Sequence, residues 1–473
     1  MNQLPTYTRR KKRNATRATI SLSDKFAQFV ITLGGLATIA VVLLVGVFLL
    51  VVALPLFYPA TTELEQSIPF NLQNDRLLAS GLDDSGSLAW FCDADEISVV
   101  EVKTGNRLLA RSTENCGLQQ ASSICHLRDT LQSAFGFEDG TICTGRLGLT
   151  SSYVPKEKIP LAAISLNVGE LLTINNVIYL RSSNDVTKKI ELLAELDEPA
   201  SRALTRPIID IDLAITTNGF CVVALDDQGN IQIQKRSFQK NLITDESSTR
   251  TLETTIKEDR SHSDFRFIRV SGLGDQLFVF SRDGIFKRLF FRDGTQPVLM
   301  EQHRLLQKNQ ITHVARLFGG SSFVLGDDSG TARILFTSRD TSITTKDGLK
   351  TKITATFASR LNENHKQKIG KEITAISASP RSRLFAVAYA DGFIRLLQAT
   401  NHSIVAEISS KKRSALAQKT QVLLLGSREH NLIAYDGKNL TSWNIKPGYP
   451  EVSFGTLFGK IWYENYPGKD YAW

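Results

Sequence analysis

Residues 384–398 read LFAVAYADGFIRLLQ. An unbroken apolar run leads into Asp391-Gly392, and Phe393-Ile394-Arg395-Leu396-Leu397 then alternates. Asp-Gly suits a tight hairpin because the central positions of the turn tolerate positive φ. Alternation at period two is what a half-buried strand requires. The same unit recurs as AFGFEDGTICTGRL (134–147), CVVALDDQGNIQIQKR (221–236), LFVFSRDGIFKRLFF (277–291), FVLGDDSGTARILF (323–336) and LIAYDGKNLTSWNI (432–445). Two weaker versions lie at 88–109 and 171–193. Helical period is almost absent between residues 70 and 447.

The turn signals fall near residues 84, 105, 139, 185, 228, 283, 329, 391 and 436. Most steps are about 40–60 residues, with several strands in each, which is the period of a β-propeller. The expected class is therefore mainly β, with seven or eight blades over residues 64–450. The units resemble those of WD-repeat-like propellers. Their GH and WD dipeptides are missing, so the likeness is architectural. Two β-sandwiches in tandem are the alternative. A strand at Leu77–Ser80 is expected to pair with the last blade and close the ring, removing an exposed edge. Segments 238–263, 338–371 and 409–420 read as polar surface loops, their charge runs as solvated faces.

Outward from the repeats toward the N-terminus, no charged residue occurs from Phe26 to Thr62. The apolar centre, FVITLGGLATIAVVLLVGVFLLVVALPLF, runs from Phe29 to Phe57. About 20 apolar residues suffice to cross a bilayer, and a secretory h-region is only about 7–15. A transmembrane helix is expected over 26–58, started by capping oxygens in Ser21–Asp24 and ended near Pro55 and Pro59. The chain of 473 residues carries a formal charge of +8. Residues 1–25 hold seven bases (Arg9, Arg10, Lys11, Lys12, Arg13, Arg17, Lys25) against Asp24, a net of +6, which leaves +2 for the remainder. The positive charge is thus a tail property. Alone, Arg9–Arg13 matches a nuclear-localisation or nucleic-acid patch. Before an apolar helix it reads as a topology signal, placing the tail in the cytoplasm and the rest outside, in the periplasm of a bacterium. No basic stripe on the large domain points to nucleic acid.

The residues that carry chemistry are scattered. Cys92, Cys116, Cys125, Cys143 and Cys221 form no CxxC pair, which disfavours zinc. A Cys116–Cys125 disulfide is possible in an oxidising compartment, and buried free thiols are the equal alternative. The seven histidines are dispersed, and HExxH, GxSxG, P-loop and GxGxxG motifs are absent from suitable contexts. No cofactor and no enzymatic activity are expected. An anchored quinoprotein-type enzyme is the last-ranked reading.

The chain finishes PGYPEVSFGTLFGKIWYENYPGKDYAW. Phe458, Trp462, Tyr463, Tyr466, Tyr471 and Trp473 make residues 451–473 an aromatic segment suited to a membrane interface. With Leu22-Ser-Asp-Lys-Phe26, Gly34-Gly35, Leu54-Pro-Leu-Phe57 and the basic tail, FGKIWYENYPGKDYAW resembles the N-terminal part of a bacterial phosphate-type ABC transporter permease subunit with a large propeller insert. The likeness covers both ends of the chain, and its most specific part is the exit motif. It implies an inner-membrane importer component with membrane lipid, the remaining permease core, an ABC ATPase and a periplasmic substrate-binding protein as partners. It also implies that this chain is a fragment or split product, because no second apolar run of about 20 residues follows residue 60. The other reading is a stand-alone anchored propeller that scaffolds or senses at the cell envelope.

Overall fold

The computed structural model describes residues 18–53, 60–74, 76–183, 186–197, 201–240, 247–257, 264–291, 296–345, 348–359, 372–408 and 419–446. The chain divides into two compact units, Met1–Pro59 with Pro447–Trp473, and Ala60–Lys446.

In the first unit, helix α1 spans Ala18–Ala53. It begins earlier than the sequence suggested, and Ser21–Asp24 lie inside it rather than at its start. Its stretch Leu22–Leu50, 29 residues, is long and apolar enough to cross a membrane, and none of its residues is buried. At 1.5 Å per residue that is about 44 Å, against about 30 Å of hydrocarbon.

In the second unit, strand β1 (Thr61–Pro69) stands apart in sequence from the sheet it joins. The first blade is β2 (Leu77–Leu82), β3 (Leu88–Asp93), β4 (Glu96–Glu101) and β5 (Arg107–Ser112). The second starts with β6 (Ala121–His126), β7 (Gln132–Phe137) and β8 (Thr141–Val154). A short helix α2 (Leu161–Ile164), β9 (Leu171–Ile174), β10 (Val177–Ser183), β11 (Val186–Leu196) and β12 (Ser201–Arg202) complete it as a seven-stranded sheet. The third is β13 (Ile208–Thr216), β14 (Gly219–Asp226), β15 (Ile231–Lys240) and β16 (Ser247–Ile256). The fourth is β17 (Phe265–Val270), β18 (Gln276–Ser281), β19 (Ile285–Phe290) and β20 (Val298–Arg304). The fifth is β21 (Ile311–Arg316), β22 (Ser322–Asp327), β23 (Ala332–Thr345) and β24 (Gly348–Ser359). The sixth is β25 (Ile373–Ala378), β26 (Leu384–Tyr389), β27 (Ile394–Gln398) and β28 (Ile404–Ile408). The seventh is β29 (Val422–Leu425), β30 (Asn431–Tyr435) and β31 (Asn439–Lys446), with β1 as its outer strand.

These sheets form a ring. The innermost strands touch in the cycle β2, β6, β13, β17, β21, β25, β29 and back to β2. The hydrophobic core is correspondingly divided into seven slabs, one between each pair of neighbouring blades. The slab holding Ala89 and Phe91 of β3 with Leu424 and Tyr435 of the seventh blade closes the circle. The domain is therefore a seven-bladed β-propeller, and tandem sandwiches are excluded. Second strands such as β3, β22 and β26 are buried along their whole length. Packed between two neighbouring blades, they have no solvent face, which is why they read as continuous apolar runs.

The recurrent Asp-Gly signal marks the turn between the second and third strands of a blade. In the fifth blade the Asp327 carboxylate accepts from the amides of Ser329 and Thr331, and Gly330 takes φ 82°. Asp226, Asp391 and Asp436 accept from turn amides in the same manner.

Several expectations change. The closing strand is Thr61–Pro69, paired antiparallel with β31 from Thr61↔Lys446 to Pro69↔Asn439, whereas Leu77–Leu82 is the innermost strand of the first blade. The weak unit 171–193 is an extension of the second blade, not a blade of its own. Parts of 238–263 and 338–371 read as loops are strands. They lengthen the hairpins β15–β16 and β23–β24, because Thr-rich polar sequence with alternating character pairs well at a sheet's outer edge. Within 409–420, only Lys419 and Thr420 are among the described residues.

Candidate functional site: the central channel

Six of the innermost strands share one irregularity, a bulge that skips Leu78, Ser122, Ile209, Arg266, Thr312 and Thr374. A bulge re-aims the residues that follow it. Two residues beyond come Ser80, Ile124, Ile211, Ile268, Val314 and Ile376, and the next positions are Gly81, Cys125, Asp212, Arg269, Ala315 and Ser377. Many of these residues line an axial cavity of about 730 Å³, together with Arg128, Asp210 and Arg316.

The polar groups in this cavity bind the blades to one another. Asp210 Oδ2 of β13 accepts from Arg269 Nη1 at 2.7 Å and from the Ile268 amide at 2.8 Å, both on β17. Asp212 Oδ2 accepts from the Val270 amide at 2.8 Å. Its other oxygen receives Arg316 Nη2 at 3.4 Å from β21 and the Cys125 thiol at 3.3 Å from β6. Arg316 also donates to the carbonyls of Leu213 at 2.8 Å and Val270 at 3.1 Å, and Arg269 donates to that of Val314 at 2.8 Å. Across the ring, Arg128 Nη1 donates to the Leu425 carbonyl at 2.6 Å and Nη2 to Ser377 Oγ at 3.4 Å. Ser377 Oγ in turn accepts from the Leu425 amide at 3.0 Å. Buried charges need this kind of pairing, since an unpaired ion in a poorly solvated site is costly.

Titration follows from burial. Desolvation raises Asp210 even though Arg269 pulls the other way. Desolvation and the neighbouring Asp212 charge push the Cys125 thiol far up. It is a protonated hydrogen-bond donor, not a thiolate nucleophile. Desolvation lowers Arg128 to about 10 and His126 to about 3. The neutral His126 ring meets Trp90 edge-on with centroids 5.0 Å apart, and its Nδ1 lies 3.3 Å from Ser133 Oγ. Asp210, Asp212, Arg128, Arg269 and Arg316 are thus engaged with each other, with Ser377 and Cys125, and with backbone. Among the described residues, no three His, Cys, Asp or Glu side chains gather as a metal ion would require. A second hollow, of about 680 Å³, lies between the second-blade extension (Gly169, Arg181) and the turns of the first and seventh blades (Gly86, Lys103, Asn431).

Of the residues singled out from sequence, Cys116 and Cys125 are free thiols, so the disulfide considered for them is not formed. Cys116 packs in the slab between the first two blades, while Cys125 points to Asp212 in the channel. Cys92, Cys143 and Cys221 are also buried and form no disulfide. Lys25 lies within α1. Arg9, Arg10, Lys11, Lys12, Arg13 and Arg17, and the aromatic segment Phe458, Trp462, Tyr463, Tyr466, Tyr471 and Trp473, lie outside the described residues. Sequence reasoning passed over Asp210, Asp212, Arg269 and Arg316. Their signal was a charge embedded in the first strand of a repeat, legible only once the repeats are aligned on the shared bulge.

No protein-family model matches this chain, and no curated protein matches it. A solved structure to which it is similar is the β-propeller domain of Cps50 (Swd1) from Myceliophteria thermophila. The identity is 9% and the TM-score 0.47, over 81% of this chain and 99% of that one.

Proposed function

We propose that this protein is a membrane-anchored, non-catalytic propeller that acts as a docking or regulatory module. The observation that carries the reading is that the channel's buried charges, Asp210, Asp212, Arg128, Arg269 and Arg316, are consumed in blade-to-blade bonds. Catalysis needs a positioned base or nucleophile able to reach a substrate, and here Cys125 is held protonated and His126 neutral against Trp90. The apolar helix supplies the anchor, with the basic tail in the cytoplasm and the propeller in the periplasm of a bacterium. Alkaline extraction and protease digestion of spheroplasts test this. The chain should stay with the membrane and the propeller should be digested from outside. Release by carbonate, or protection of the propeller, would refute it.

The finer reading is a component of an ABC-type importer. It rests on the likeness of FGKIWYENYPGKDYAW and the N-terminal segments to phosphate-type permeases. Affinity purification in mild detergent should then recover a permease core, an ATPase and a substrate-binding protein. Recovery of envelope-assembly proteins without transporter subunits would instead favour the stand-alone scaffold.

A further inference from the structure

In a four-stranded antiparallel blade, turns between first and second strands and between third and fourth strands fall on one face of the propeller. The other turns fall on the opposite face. Among the described residues, the exposed large apolar side chains at the turns all fall on the first of these faces. Ile215, Leu273 and Phe318 lie at first-to-second turns of three consecutive blades, and Ile215 and Phe318 line the channel mouth. Phe238 and Leu299 lie at third-to-fourth ends, and Leu161 lies in the extension that leaves the lower end of β8. Among the described residues, none of the turns on the opposite face exposes a large apolar side chain. Those turns present Asp95, Glu138, Asp139, Arg282, Lys308 and Asp328, while the first face combines its apolar side chains with exposed Asp84, Lys103, Arg381, Arg383 and Arg428. Isolated exposed apolar residues are ordinary, and it is their restriction to one face that sets these apart.

The register fixes the face at which the propeller's first strand begins and its last ends. Thr61 pairs with Lys446, so the propeller's first strand begins and its last ends on the apolar face. Only the six residues 54–59 separate Ala60 from the end of α1. Seven Cα–Cα steps span at most about 25 Å. We propose that the face bearing Ile215, Leu273 and Phe318 rests on the lipid bilayer surface, with the opposite face turned to water. The proposal rests on the anchor reading above. The tether keeps the face within reach of the interfacial region, where partly buried Leu and Phe side chains gain favourable apolar contact.

The test uses the full chain reconstituted in phosphatidylcholine–phosphatidylglycerol vesicles, with single Cys substitutions carrying an environment-sensitive fluorophore. The parent chain, whose thiols are buried or half-buried, sets the background. Leu273→Cys and Phe318→Cys report the proposed face, Asp139→Cys and Asp328→Cys the opposite face, and Leu44→Cys the helix. Nitroxide-labelled lipids should quench positions 273 and 318 at least about five-fold more than 139 and 328. Equal quenching on the two faces, with position 44 strongly quenched, would overturn the docking and leave the anchor standing. Labels at 273 and 318 that respond to aqueous iodide and not to nitroxide lipid would likewise overturn it, and would show the face open to water. An unquenched position 44 would overturn the anchor itself, and the docking with it.

Discussion

Replacing Asp212 by alanine removes the group on which four of the seven innermost strands converge. The carboxylate on β13 is nearly inaccessible and receives the Val270 amide, Arg316 and the Cys125 thiol. Losing it leaves a buried amide without its acceptor, which costs about 1–3 kcal/mol. It also leaves Arg316, whose side chain is 16% exposed, without its counter-charge. Breaking a buried pair from one side costs about 3–5 kcal/mol, and Arg316 keeps two backbone carbonyls that moderate this. The expected total is about 4 kcal/mol. Asp212→Asn retains an acceptor for Val270 and should cost about half as much. Arg316→Met in the Asp212→Ala background should recover part of the loss, because the uncompensated charge is then gone. Urea unfolding of the full chain in micelles reads these values, with the buried Trp90 and Trp443 as fluorescence reporters. A loss under about 1 kcal/mol for Asp212→Ala, or equal losses for alanine and asparagine, would refute the view that this carboxylate ties the blades.

The remaining predictions concern pH, backbone and thiols. Burial lowers His313 to about 4 and His126 to about 3, so the folded chain binds fewer protons than the unfolded one below the ordinary value of 6.5. Their contribution is complete above 6.5 and is lost as pH falls toward those lowered values. Each should cost about 1.4 kcal/mol between about pH 7.5 and about pH 5.5, read as a falling urea midpoint. A flat profile there would contradict the neutral burial of both rings. Gly140→Ala should destabilise by more than about 2 kcal/mol in thermal melts, since Gly140 has φ +85° and an added Cβ would lie 2.3 Å from the Leu204 carbonyl oxygen. A melting point matching the parent's would show that the turn relaxes. Cys92 is raised to about 12 and Cys143 to about 11, chiefly by burial. Both should resist maleimide at about pH 8 until the chain is unfolded. Mild oxidation should produce no Cys116–Cys125 bridge, as read by mass spectrometry of a non-reduced digest.

The propeller was largely legible in the repeat. LFAVAYADGFIRLLQ and its relatives became the second strand, turn and third strand of a blade, because an Asp acceptor and a glycine with positive φ are local demands that any tertiary setting must meet. The closing strand was not legible. Thr61–Pro69 reads as polar and pairs through backbone with a strand whose partners are nearly 400 residues away. No local pattern reports such a partner. The same limit hid Asp210, Asp212, Arg269 and Arg316, since a charge in an apolar strand gains meaning only when its counter-charge on another blade is known.

By itself, the sequence determined the long apolar helix, the β class, the turn chemistry and the concentration of charge in the first 25 residues. All of these depend on composition and on spacings shorter than one blade. Tertiary structure decided the blade number, the strand that closes the ring, the separation of Cys116 from Cys125 and the clustering of exposed apolar side chains on one face. Each of these is settled by which distant strands meet, and so by the packing of seven wedge-shaped slabs around one axis.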